Sequence, residues 1–278
     1  MFERIKRSFD LFRASVRILR QDRHLILFPA ISAVALLFVL IGFALPVFGF
    51  DAIDGLGQGG LYSIGFLFYV VQYFVIFYFN VALVGAVMIR LDGGSPTLGA
   101  GLRIANGRLG AILGYAVIAA TVGVVLRAIQ ERVGFIGRLI VGLIGASWAI
   151  ATFMVVPVLV TRNQGAIGSI SESAALLKRT WGENLAGQAG LGAAFGVIYF
   201  GMAAVAVVLG LGVMQLAGAA SPVMIAVLVA LVVLAFLACF LAHATLTGIY
   251  SAVLYRYAVD GSDTPGFDSL GAAFQQKA

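Results

Sequence analysis

The stretch VMIAVLVALVVLAFLACFLA, residues 223–242, decides the fold of this chain. A helix needs about 20 mainly apolar residues to cross the hydrocarbon core of a bilayer, and this run supplies them without a charged side chain. Backbone groups in lipid must be paired within the protein, so only helices or a closed barrel can span. Because a barrel strand alternates apolar and polar residues and this run does not, we predict a membrane-spanning helix.

The rest of the chain follows the same pattern. Of its 278 residues, 62% are hydrophobic and 11% are charged, against about 25% charged in a soluble domain. We predict an all-α, polytopic membrane helix bundle that forms one integral domain over 1–278. Its six expected spans are 25–49, 61–90, 109–126, 139–160, 185–215 and 222–257. Pro157 predicts a kink late in the fourth span.

The basic residues set the expected orientation. Alternating spans place 1–24, 91–108, 161–184 and 258–278 on one side, which carries fifteen of the eighteen lysines and arginines. The other side has Arg127, Arg132 and Arg138. Positive residues accumulate on the cytosolic side of such proteins. We therefore expect a multi-pass protein of the plasma (cell inner) membrane with both termini in the cytosol.

A polar stretch between the fourth and fifth spans has the spacing of an amphipathic helix. In GAIGSISESAALLKRTWGENL, residues 165–185, apolar side chains recur every three or four positions from Ile167 to Trp181. Ser169 followed by Glu172 predicts a capping box, and Ser95 before Pro96 predicts another helix start at a similar stripe, 98–109. Further stripes occupy 2–19 and 267–274.

These stripes predict helices that lie in the headgroup region or pack on the cytosolic ends of the spans. They also suggest a three-fold repeat of amphipathic helix and transmembrane hairpin, with units 1–90, 91–160 and 161–257 and a C-terminal stub at 258–278. The alternative is that short cytosolic linkers are commonly amphipathic without any repeat.

We expect the partner of these helices to be the lipid bilayer, with anionic headgroups on the cytosolic side. Contacts with another membrane protein or a second copy of the chain are alternatives. Nucleic acid is disfavoured because the N-terminal phenylalanines share one apolar stripe. The expected lipid-interface contacts are Arg4, Lys6, Arg13, Arg17, Arg103, Lys178, Arg179 and Trp181.

Polar side chains inside spans are the first candidates for a functional site. His243 lies thirteen residues before Arg256, and Asn80 lies ten residues before Arg90, so the two are expected at similar depth. Gln72 lies two turns before Asn80. These three residues could line a polar passage, or they could form hydrogen bonds between helices that hold the bundle together.

Signatures of catalysis and metal binding are missing. The sequence has no HExxH, P-loop or GxSxG motif, two histidines and the single cysteine Cys239. We therefore expect no enzyme activity, no cofactor and no metal.

Four segments resemble a family of uncharacterised bacterial and archaeal multi-pass membrane proteins: LILFPAIS (25–32), RLDGGSPTLGAGLR (90–103), ATFMVVPVLV (151–160) and SAALLKRTWGEN (173–184). An amphipathic helix that ends in Trp before a span is also distantly similar to the membrane domain attached to some glycerophosphodiester phosphodiesterases. The resemblance implies the topology and no particular activity.

Two functional hypotheses follow. The first is a non-enzymatic protein that organises the membrane or binds partners through its cytosolic amphipathic helices. The alternative is a permease or channel for a small or amphipathic solute, with a polar site near Gln72, Asn80 and His243.

Overall fold

The structure, a computed structural model, describes residues 15–49, 57–215 and 221–260, without the side chains at 47–49, 179–189, 214–215 and 260. Every regular element in these ranges is a helix, which confirms the all-α prediction. The elements are α1 (15–21), a 3₁₀ turn (Arg23–Ile26), α2 (Leu27–Gly49), α3 (Gln58–Leu91), α4 (Leu98–Asn106), α5 (Leu109–Arg132), α6 (Phe135–Ala151), α7 (Val155–Thr161), α8 (Ala166–Gln215) and α9 (Pro222–Asp260).

Six helical segments among the described residues are long and apolar enough to cross a membrane, and the chain is a membrane protein. They are Arg23–Pro46, Gln58–Leu91, Leu109–Arg132, Phe135–Thr161, Gly190–Val213 and Pro222–Val259. The number agrees with the six spans expected from the sequence.

The third span is longer than the sequence suggested. We expected it to end at 126, but α5 continues to Arg132, which leaves two residues before α6. Arg127 binds Glu131 at 3.1 Å and the Tyr69 hydroxyl at 3.0 Å. Arginine is a good helix former, so Arg127 does not end the helix, and these partners pair its guanidinium on the helix surface.

The fourth span is broken in its middle. α6 ends at Ala151 and α7 begins at Val155, with a turn at 152–154 between them. Pro157 explains the position, because its missing N–H cannot bond the carbonyl four residues earlier, that of Phe153. The interruption therefore lies one turn before the proline rather than at it.

Ser173 of α8 satisfies the backbone at this break. Its hydroxyl donates to the Ala151 carbonyl at 2.7 Å and accepts from the Met154 amide at 3.1 Å. Met154 and Ser173 are both buried, and an unpaired backbone group there would be costly. One hydroxyl thus replaces both partners that an unbroken helix would have supplied.

The amphipathic stretch that contains Ser173 is the first part of a longer helix. α8 runs for 50 residues without interruption, about 75 Å at 1.5 Å per residue. The expected capping box is wrong, because Ser169 lies inside the helix and donates to the Gly165 carbonyl. At the other start the cap is Thr97, not Ser95, and it accepts from the Ala100 amide at 3.1 Å.

α4 packs against the spans α2 and α3. A Cβ added at Gly101 would lie 2.5 Å from the Ala82 carbonyl oxygen and 2.6 Å from the Phe28 ring. Ile104 of α4 also packs on Gly85 of α3, where an added Cβ would lie 3.0 Å from the Ile104 side chain. This close contact fits the second of our two expectations for these helices, packing on the ends of spans.

The three-fold repeat stays a prediction. α1 and α4 are separate from the spans that follow them, whereas α8 is continuous with its span. The stub at 258–278 falls almost wholly outside the described residues.

Candidate functional site

One end of the bundle is held together by ion pairs and carries Arg90, Arg162 and Arg256; we call it the arginine-rich end. Arg90 binds Asp22 at 3.0 Å, and Arg256 binds Asp92. The first pair joins the residue before the 3₁₀ turn to the end of α3, and the second joins the residue after α3 to α9. They therefore fix the depth of α3 relative to α9.

Arg162 binds Glu172 at 3.2 Å, which joins the end of α7 to α8. The guanidinium lies outside the membrane-spanning segments. Attraction to Tyr255, and then to Glu172, raises the pKa of Arg162 above its usual value. Arg162 is thus positively charged throughout the working pH range.

The expected lipid-interface residues separate into three groups. Arg17, Arg103 and Lys178 are exposed and form no ion pair with any described residue. The other residues cannot be placed in the same way: Arg4, Lys6 and Arg13 lie outside the described residues, and Arg179 and Trp181 belong to α8 but their side chains are not described.

A cavity of about 430 Å³ lies between α3, α5, α9 and the break in the fourth span. Its walls contain aromatic rings, small polar side chains and two of the predicted site residues. The lining residues are Phe77, Asn80, Val84, Tyr115, Thr152, Phe153, Val156, Phe240, His243, Ala244, Thr247, Gly248 and Ser251.

The structure brings Asn80 and His243 to this one cavity and leaves Gln72 out of it. Gln72 lies eight residues earlier on α3, about 12 Å along the helix axis. It is partly exposed at that position. The cavity therefore contains two of the three residues expected at the polar site, Asn80 and His243, and the site itself stays a prediction.

Two aromatic residues of α8 contact the imidazole ring of His243. Phe195 stacks on the ring with centroids 4.2 Å apart and planes 12° apart. The Tyr199 hydroxyl lies 3.5 Å from His243 Nδ1. These contacts position the imidazole at the cavity wall.

Two polar lining residues escaped the sequence reasoning, Tyr115 and Ser251. The sequence could have indicated Ser251, because His243, Thr247 and Ser251 are spaced four residues apart and share one face of α9. No pattern in the sequence indicates Tyr115, because only the packing of α5 on α3 places it at the cavity. Its ring centroid lies 4.3 Å from that of Phe77.

Several hydroxyls of the cavity already use their protons within their own helices. Thr247 donates to the His243 carbonyl, Ser251 to the Gly248 carbonyl and Thr152 to the Trp148 carbonyl. Their oxygens can still accept. The Asn80 amide, by contrast, forms no hydrogen bond with any residue that the structure describes, so it can both donate to and accept from a solute.

Among the described residues that line the cavity, none is Asp, Glu, Lys or Arg. Within the described ranges there is also no group of three or more His, Cys, Asp or Glu residues that could hold a metal ion. The arrangement is suited to holding a molecule by shape and hydrogen bonds, and it offers no paired acid and base.

Comparison with known families gives one result. The profile described as "Family of unknown function (DUF6159)" matches residues 60–266, about three quarters of the chain. No curated protein and no solved structure matches significantly.

Proposed function

The chain belongs to the DUF6159 family of unknown function, and we propose that it acts as a permease or channel that binds a small solute in the cavity of Asn80 and His243. One observation carries the proposal: polar side chains of α3 and α9 meet the broken fourth span at a single cavity. Discontinuous helices form the solute sites of many transporters. Non-helical backbone at membrane depth is tolerated where it is buried or lines a wet cavity.

Further support comes from the free-energy cost of an unpaired amide side chain inside a membrane. An Asn80 amide without a protein partner is unfavourable in a dry membrane interior. Water or a solute that enters the cavity would supply the missing hydrogen bonds. A non-enzymatic role is part of this proposal, and the distant resemblance to domains of glycerophosphodiester phosphodiesterases stays a prediction.

Cysteine accessibility tests the proposal without knowledge of the solute. In a Cys239→Ser background, Asn80→Cys and His243→Cys would be treated in proteoliposomes with 2-hydroxyethyl methanethiosulfonate, a small, neutral and water-soluble reagent. A wet solute pathway predicts reaction at both positions. Thr121→Cys, on an exposed part of α5, is the matched control and should not react within lipid. Two unreactive cavity positions would contradict the proposal.

A second candidate function rests on Arg17, Arg103 and Lys178. Exposed and free of ion pairs with described residues, they could bind anionic headgroups on the cytosolic side, each worth about 1 kcal/mol. This is the membrane-organising role through amphipathic helices. The triple change of all three to Gln should weaken binding to vesicles containing phosphatidylglycerol. The change Arg132→Gln with Arg138→Gln, at the opposite end, is the control.

A further inference from the structure

The geometry points to the class of solute that the cavity accepts: an uncharged molecule with a flat apolar body and at least one N–H or O–H donor. This inference rests on the proposed function and specifies its ligand. Its basis is the free backbone carbonyl of Phe153 at the break, together with the Asn80 amide and the aromatic walls.

At the break, the backbone carbonyl of Phe153 accepts no hydrogen bond from any described residue. Ser173 serves the Ala151 carbonyl and the Met154 amide, and the Val155 amide donates to Thr152. The Phe153 carbonyl would normally pair with residue 157, but Pro157 has no N–H. Among the described residues nothing else donates to this carbonyl. Phe153 is one of the residues that line the cavity, and on the proposed binding mode a bound donor pairs with its carbonyl.

The other polar groups of the wall extend the acceptor set. Asn80 contributes an amide oxygen, and the hydroxyls of Thr247 and Ser251 direct their protons into α9. An acceptor-only solute would leave the Phe153 carbonyl unpaired in a desolvated site, which binding penalises. The cavity wall therefore favours solutes that donate hydrogen bonds.

The lack of charge on the wall excludes ionised solutes. No described lining residue is Asp, Glu, Lys or Arg, so an ammonium would find no counter-ion. A carboxylate would find none while the imidazole of His243 is neutral. Transfer of an unpaired ion from water into such a site is strongly unfavourable.

The aromatic residues define the body of the solute. Phe77 and Tyr115 pack with centroids 4.3 Å apart on one side, and Phe153 and Phe240 also line the cavity. Such faces favour a flat ring by offset or edge contacts. A volume of about 430 Å³ lies within the usual range for small-molecule sites.

Four probes of one shape test the inference: nicotinamide (neutral donor), 3-acetylpyridine (neutral, no donor), nicotinate (anion) and 3-aminomethylpyridine (cation at neutral pH). Binding to the full chain in nanodiscs would be measured by equilibrium dialysis at constant pH. We expect nicotinamide to bind about tenfold more tightly than each of the other three. Tighter binding of nicotinate or 3-aminomethylpyridine would overturn the solute class.

Pro157→Ala gives residue 157 an N–H that can pair with the Phe153 carbonyl. We expect this variant to lose the preference for nicotinamide over 3-acetylpyridine. Pro46→Ala, in α2 and away from the cavity, should keep it. If Pro157→Ala does not fold, Asn80→Leu serves instead and should weaken nicotinamide binding about tenfold.

Retention of the preference in the folded Pro157→Ala variant, or of full affinity in Asn80→Leu, would overturn the inference. Failure of all four probes to bind saturably would also overturn it. The proposed function would then still be decided separately, because the cysteine accessibility of positions 80 and 243 does not depend on any of these probes.

Discussion

Ser173 accepts a hydrogen bond from the Met154 amide at 3.1 Å, and this bond ties α8 to the turn that interrupts the fourth span. The same hydroxyl donates to the Ala151 carbonyl on the other side of the turn. Ser173 therefore stabilises a broken helix beside the cavity, which gives the polar stretch at 165–185 a structural role within the bundle. The consequences of this contact, of two others and of the expected orientation can be measured.

Ser173→Ala should destabilise the protein by about 1–3 kcal/mol, because it leaves the buried Met154 amide without an acceptor. The measurement is the apparent midpoint of thermal unfolding of the purified protein, followed by tryptophan fluorescence. Ser147→Ala is the control, since Ser147 is exposed and bonds within its own helix. Equal midpoints for the two variants would show that Ser173 does not stabilise the break.

Gly101→Ala should destabilise the contact of α4 with the spans by about 1–3 kcal/mol through overpacking. The added Cβ would meet the Ala82 carbonyl oxygen at 2.5 Å and Phe28 at 2.6 Å. Gly99→Ala lies in the same helix with nothing within 4 Å of the new Cβ, and it should be neutral or slightly stabilising. Both can be compared by thermal unfolding in one detergent. A Gly101→Ala variant as stable as Gly99→Ala would contradict the packing.

Arg90→Gln should lower the stability by about 2 kcal/mol, because it leaves the carboxylate of Asp22 unpaired. The Asp22 side chain is only 11% exposed. Arg127→Gln at the opposite end should cost much less, since its partner Glu131 is 67% exposed and exposed pairs contribute little.

A double-mutant cycle provides the check. Asp22→Asn combined with Arg90→Gln should recover part of the loss, because the uncompensated charge is then removed. Strictly additive losses in apparent unfolding free energy would indicate that the two residues do not interact.

The orientation can be tested with single cysteines in a Cys239→Ser background. Arg138→Cys should react with a membrane-impermeant maleimide in intact cells, and Arg103→Cys should react only after permeabilisation. The reason is the strong excess of basic residues on the side that contains Arg103. The reverse labelling pattern would invert the proposed topology.

The spans could be predicted well because burial in lipid depends on composition over about 20 residues, which neighbouring segments do not alter. Their ends were predicted less well. The third span was expected to end at 126, whereas α5 continues to Arg132, and Glu131 and Tyr69 bind the guanidinium of Arg127. The second of these contacts depends on Tyr69 of α3, which lies 58 residues before Arg127 in the sequence.

The candidate site was predicted in part. The distances of Asn80 and His243 from Arg90 and Arg256 gave similar depths, and both residues do line one cavity. Gln72 did not join them because it lies about 12 Å further along α3. Tyr115 was missed because its place depends on how α5 packs against α3, and periodicity within one helix does not define that contact.

Sequence alone determined which segments of this chain lipid can solvate and where the charges lie along it, because both follow from the chemistry of consecutive side chains. Pro157 likewise removed a backbone donor whatever the packing. Only the tertiary structure decided that Ser173 would satisfy the interrupted backbone, and that no described residue would donate to the Phe153 carbonyl. It also decided that Asn80 and His243 would line one cavity. The physical reason is that hydrogen bonds between helices depend on rotation and crossing, which the apolar pattern of each separate helix leaves undefined.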